Sequence, residues 1–155
     1  MITLPQLNGY LGKPISQICP NGFANDNDNH CAHFVAHAMG YKFGVTCLTM
    51  VHAQPGAVGA TIKVQQIFPQ CPAVGTWASR PKTLLSCLAF ITRESEVNIA
   101  TKTMNNVPRK HIGIFFNGLI WHYSNSQRKV VQQTPEQFAF HYPAPYNAMF
   151  FGSMP

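Results

Sequence analysis

The sequence predicts an α+β domain in which an N-terminal helix bearing a cysteine packs on a small antiparallel β-sheet. Two local signals predict it. NDNDN at 25–29 supplies N-cap residues ahead of HCAHFVAHAM, and Gly40 supplies a stop. Farther on, HIGIFF and LIWHY flank Asn117-Gly118, a pair suited to the positive φ angles of a type I′ hairpin turn. A third observation sets the scale. With 155 residues, 46% apolar and only 10% charged, the chain reads as one domain, 1–155, with one core and no disordered tail.

Residues 1–28 read as irregular, punctuated by Pro5, Gly9, Gly12, Pro14, Pro20 and Gly22. Asp28 or Asn29 then caps a helix of roughly ten residues, with Cys31 in its first turn. Phe34, Val35 and Ala38 follow Cys31 at helical spacings and form an apolar stripe. GVTCLTMV (44–51) and ATIKVQQIF (60–68) suit either strands or short helices, and TLLSCLAFIT (83–92) suits a helix or a buried strand. ESEVNIATKTM (94–104) alternates in part, as a strand would. In the hairpin, one face carries Ile112, Ile114, Phe116, Leu119, Trp121 and Tyr123, a packing surface. The other carries His111, Gly113, Phe115, Ile120, His122 and Ser124. Phe138, Phe140, Tyr142 and Tyr146 are expected to pack at the core or its edge.

Composition excludes several classes. No apolar run is long enough for a transmembrane helix, and MITLPQLNGYLGKP lacks the layout of a Sec signal peptide. The expected location is therefore the cytoplasm, or a periplasm or cell wall reached by a leaderless route. Eleven Lys and Arg against five Asp and Glu give a net charge of +6, which favours an anionic partner. The basic residues are scattered and no nucleic-acid motif accompanies them, so neither nucleic acid nor membrane is an expected partner. Arg109-Lys110 and Arg128-Lys129 flank the hairpin and suit acidic groups. The cysteines are Cys19, Cys31, Cys47, Cys71 and Cys87. An odd number leaves at least one thiol free in a monomer, and no CxxC pair is present. Cys87, within LLSCLAF, reads as a buried small residue.

The residue types of a thiol hydrolase are all present. A thiol at a helix N-terminus feels the positive end of the helix dipole, which favours the thiolate. His111 on one strand is the candidate base, and His122, diagonal to it at ~7–8 Å between backbones, the candidate orienting group, with Ser124 or Asn125 as replacements. The Cys31 backbone N–H is the candidate oxyanion donor, with Asn29 as a weaker one. Trp121, Ser124 and Tyr10 are candidate substrate contacts. No metal or other cofactor is called for.

NHCAHFV resembles the nucleophile motif of the NlpC/P60 cysteine peptidases and amidases, and HIGIFFNGLIWHYSNSQRKVV resembles that family's histidine-bearing strand–turn–strand block. Lecithin:retinol acyltransferase-like proteins share an N-C-x-H-F-V string, but with the histidine block before the cysteine. The resemblance covers residues 29–40 and 110–131. It implies a papain-like fold, a Cys31–His111–His122 triad, and hydrolysis of amide bonds in bacterial peptidoglycan stem peptides. A short, basic, leaderless version also resembles amidase effectors injected between bacteria by type VI secretion. For such an effector a cognate inhibitor protein is a candidate partner on which the sequence is silent.

Two other readings stand beside this one. His30, His33 and His37 share a helical stripe and suit zinc, although HFVAH lacks the glutamate of an HExxH metalloprotease. A non-catalytic cell-wall or protein-binding module on a degenerate fold is the third.

Overall fold

The computed structural model describes residues 1–51 and 59–155. In chain order its elements are α1 (Leu4–Tyr10), α2 (Cys31–Met39), α3 (Cys47–Met50), α4 (Val64–Ile67), β1 (Val74–Thr76), β2 (Ser86–Thr92), β3 (Val97–Asn98), β4 (Thr103–Met104), β5 (His111–Phe116), β6 (Leu119–Ser124), β7 (Lys129–Gln133), α5 (Pro135–Ala139) and β8 (Ala148–Gly152). The α+β expectation holds, with a few helices around a small antiparallel sheet. Among the described residues no helix is long and apolar enough to cross a membrane.

The first 28 residues are not all irregular. Thr3 and Gln6 close a capping box: the Gln6 N–H donates to Thr3 Oγ1 at 3.4 Å and the Thr3 N–H to Gln6 Oε1 at 2.9 Å. Pro5 falls in the first turn of α1, where its missing N–H has no intrahelical partner to lose. A residue that reads as a breaker here starts a helix.

α2 runs from Cys31 to Met39 and ends at Gly40 with φ 78°, the left-handed stop expected of it. Residues 44–51 and 60–68 supply the short helices α3 and α4, tied by an isolated bridge between Thr46 and Thr61. TLLSCLAFIT supplies β2, buried because it has a strand on each side and a core on each face, and Cys87 is fully buried within it. ESEVNIATKTM is not one strand. The chain reverses at Lys102, φ 52°, and leaves two-residue strands β3 and β4 paired with each other.

The main sheet is antiparallel, ordered β1-β8-β2-β5-β6-β7. The hairpin register is the expected one: Ile114 opposes Trp121, Phe115 opposes Ile120 and Phe116 opposes Leu119. Asn117 and Gly118 turn it with φ of 47° and 92°. Alternation then sorts the faces. Ile112, Ile114, Trp121 and Tyr123 join Phe34 and Val35 of α2 in the larger core. Phe115 and Ile120 join Cys87, Ile91 and Phe138 in a smaller core under α5. Gly12 and Lys13 exchange backbone hydrogen bonds with Val130 at 2.9 and 3.0 Å, so the N-terminal segment lines the outer edge of β7. Phe138 is buried as expected, whereas Phe140 is 84% exposed, because the turn that closes α5 points it outward.

Candidate active site

Two asparagines fix the start of α2 against the end of β6. Asn29 Oδ1 accepts the Cys31 N–H at 3.0 Å and an Asn125 Nδ2 hydrogen at 3.0 Å, while Asn125 Oδ1 accepts the His30 N–H at 2.9 Å. The first N–H groups of a helix have no intrahelical acceptor, and here side-chain oxygens take them. This corrects the oxyanion assignment. The Cys31 N–H is engaged by Asn29 Oδ1, so of the two candidates only the Asn29 Nδ2 group keeps hydrogens to donate.

The Cys31 thiol is 1% exposed. Burial pushes its pKa up to about 11, with the N–H groups of Ile112 and Ala32 and the Lys110 charge pulling against that rise. The thiolate expected at the helix N-terminus is therefore overruled at rest, because desolvation outweighs the dipole. Ile112 follows His111 directly, so the thiol lies beside the first residues of β5. It borders a cleft of about 150 Å³ lined also by Phe23, Lys63 and Lys110, with Asp28 the one carboxylate in the lining.

His111 and His122 meet as expected. His111 Nε2 and His122 Nδ1 are 2.8 Å apart, and His122 Nε2 is 2.6 Å from Gln133 Oε1. The amide oxygen only accepts, so His122 Nε2 carries a proton and His122 Nδ1 a lone pair. That lone pair takes the proton on His111 Nε2. His111 Nδ1 is then left as a bare lone pair, buried and with no hydrogen-bond partner among the described residues. Both rings rest on Phe138, under α5, and His141 stacks on His111 at 3.7 Å with an 8° tilt. Burial holds both below the ordinary histidine range, His122 at about 4 and His111 well below 6.5. Neutral rings are what this hydrogen-bond chain requires.

Cys31 heads the helix on the opposite face of the sheet, and its sulfur makes no hydrogen bond to either ring among the described residues. The structure thus joins His111 to His122, and sets the thiol next along the chain path without closing the dyad. Sequence reasoning missed Gln133 and His141. Neither carries a local motif; only the β6–β7 pairing and the end of α5 bring them in.

Two of the three candidate substrate contacts are corrected. Trp121 is fully buried in the core against α2. Tyr10 packs its ring on Phe34 at 5.5 Å and is absent from the lining of the Cys31 cleft, because α1 carries it elsewhere. Ser124 accepts the Gln127 N–H at 3.3 Å and lines a separate cavity beside His122 and Gln133. The His30, His33 and His37 zinc set is also corrected. His30 Nε2 lies 2.7 Å from the Asn25 carbonyl and His30 Nδ1 lies 3.1 Å from His33 Nδ1, so both its nitrogens are taken.

His111, His122 and His141 present ring nitrogens within 4.8 Å of one another. His141 and His111 stack nearly parallel, so their in-plane lone pairs run out in parallel planes instead of converging on one ion. The cluster suits proton handling better than metal ligation. Compared with family models, curated proteins and solved structures, the chain matches none.

Proposed function

We propose that this chain is a cysteine hydrolase that cleaves amide bonds of peptidoglycan stem peptides, with Cys31 as nucleophile, His111 as base and His122 as its positioning residue. The observation that carries the reading is the direction of the histidine relay. Gln133 fixes His122, His122 fixes His111, and the proton-free nitrogen left over belongs to the ring whose neighbour Ile112 touches the thiol. A thiol held near 11 is protonated at rest, so its attack needs a base to accept the proton.

In this reading the thiol first moves round the start of β5 to reach His111 Nδ1, and Cys31 Sγ attacks the carbonyl carbon as its proton passes there. The tetrahedral adduct collapses, the C–N bond breaks, and His111 returns the proton to the departing amine. Water then adds to the thioester, giving a proton to His111, which hands it back to the sulfur as the carboxylic acid leaves. Lys63 and Lys110 give the cleft an excess of positive charge, which suits the carboxylates of stem peptides.

The test is digestion of purified diaminopimelate-type sacculi by folded protein, with fragments read by mass spectrometry. The expected result is stem-peptide fragments with new amine and carboxyl ends. Their yield should fall on the order of 10²-fold or more in Cys31→Ser and in His111→Ala and persist in Cys87→Ser. Undiminished cleavage by Cys31→Ser, or none by the wild type, overturns the reading.

A further inference from the structure

Below Cys31, on the flank of α2, a second cluster takes no part in this chemistry. Cys19, His33, His37 and Cys47 each present a ligand atom, and these atoms all lie within 4.8 Å of one another. Cys19, His33 and Cys47 are buried and His37 is half-buried. The four come from three separate stretches: the turn after residues 15–17, two successive turns of α2, and the first residue of α3. Neither cysteine is in a disulfide.

We propose that Cys19, His33, His37 and Cys47 form a structural Cys₂His₂ zinc site. Tetrahedral zinc holds sulfur at ~2.3 Å and nitrogen at ~2.0–2.1 Å, which puts the ligand atoms roughly 3.3–3.8 Å from one another. The His33 and His37 Nε2 atoms are already 3.1 Å apart.

The hydrogen bonds around the cluster point the same way. The Asn25 carbonyl only accepts, so His30 Nε2 carries a proton and His30 Nδ1 a lone pair. That lone pair faces His33 Nδ1 at 3.1 Å and takes its proton, which leaves His33 Nε2 bare and turned toward His37 and the thiols. A histidine that ligates through one nitrogen and donates from the other to an outer partner has the layout of a metal ligand. Asn21 Nδ2 donates to Cys47 Sγ at 3.4 Å, an N–H···S contact that stabilises a thiolate. Gly59 passes so close that a Cβ there would sit 2.7 Å from Cys47 Sγ and 2.8 Å from the Leu48 nitrogen. A cavity lined by Asn21, His37, Leu48 and Gly59 opens the cluster to solvent and gives the ion a way in.

Binding releases one proton from each thiol, Zn²⁺ + 2 RSH + 2 His → Zn(RS)₂(His)₂ + 2 H⁺. The product is uncharged, as a buried site prefers. Its role is to clamp the N-terminal segment and the α3 loop, both poor in regular structure, to the helix that carries Cys31. The proposal is independent of the hydrolase reading, since its readout needs no activity.

The test is to refold the chelator-stripped chain with cobalt(II), record its spectrum, and count zinc by mass spectrometry in protein refolded with zinc. The expected result is one ion per chain, with the visible bands of tetrahedral cobalt and a near-ultraviolet thiolate-to-cobalt band. The thiolate band should be weakened in Cys47→Ser and unchanged in Cys31→Ser. EDTA should lower Tm and zinc restore it. Wild-type protein that holds no stoichiometric zinc, a cobalt spectrum without thiolate character, or a Cys19–Cys47 disulfide in freshly purified chain overturns the proposal. The wild-type spectrum alone decides if the cysteine variants fail to fold.

Discussion

Mild acid should unfold this protein through its buried histidines, and His122 allows the size of the effect to be worked out. The ring is 2% exposed and its pKa is lowered to about 4, mainly by burial and against a raising hydrogen bond from Gln133. In the unfolded chain it returns to the ordinary value of 6.5. As pH falls, the unfolded state takes up this proton first. The stability it contributes is therefore whole above pH 6.5 and is lost as pH drops toward 4. Linkage gives a loss of about 2 kcal/mol between pH 7 and pH 5, rising to about 3 kcal/mol well below pH 4. The assay is urea unfolding at pH 7, 6 and 5, followed by tryptophan fluorescence, since Trp121 is wholly buried. Wild type is compared with His122→Gln, which cannot titrate there, so that acid-sensitive groups out of contact with this ring cancel in the difference. The wild type should lose about 2 kcal/mol more than the variant. Parallel pH dependences would refute the assignment of His122 as a buried neutral ring.

Gly113→Ala would place a Cβ 2.5 Å from Ile120 Cγ2 and 3.1 Å from the Trp121 carbonyl, so it should cost about 1–3 kcal/mol in urea unfolding. A smaller loss would mean that the hairpin has room the structure does not show. Phe138→Ala empties the space under His111 and His122 and should cost about 3–5 kcal/mol, read as a drop in Tm.

The parts of the fold written locally were legible. Gly40 stops α2 and Asn117-Gly118 turns the hairpin because each needs a positive φ that few residues adopt. The hairpin register then followed from alternation, and with it the meeting of His111 and His122. Thr3 and Gln6 were equally local, but the prolines and glycines around them drew the reading toward a loop. What lay beyond local pattern was set by packing. β2 is a strand because β5 and β8 flank it, a fact absent from TLLSCLAFIT itself. The thiolate expected of Cys31 failed for the same reason: the helix start is visible in sequence, but its burial is not. The His30–His33–His37 stripe was visible too, and only the fold shows His30 turned to a carbonyl and Cys19 and Cys47 in its place.

The backbone bonds from Gly12 and Lys13 to Val130 have a colloidal consequence. A sheet ending at β7 would present a row of bare amides and carbonyls, a ready template for a strand of another chain. The N-terminal segment occupies part of that row. Loss of the first thirteen residues would therefore uncover an adhesive edge as well as remove a helix, and the shortened chain would be prone to association through β7.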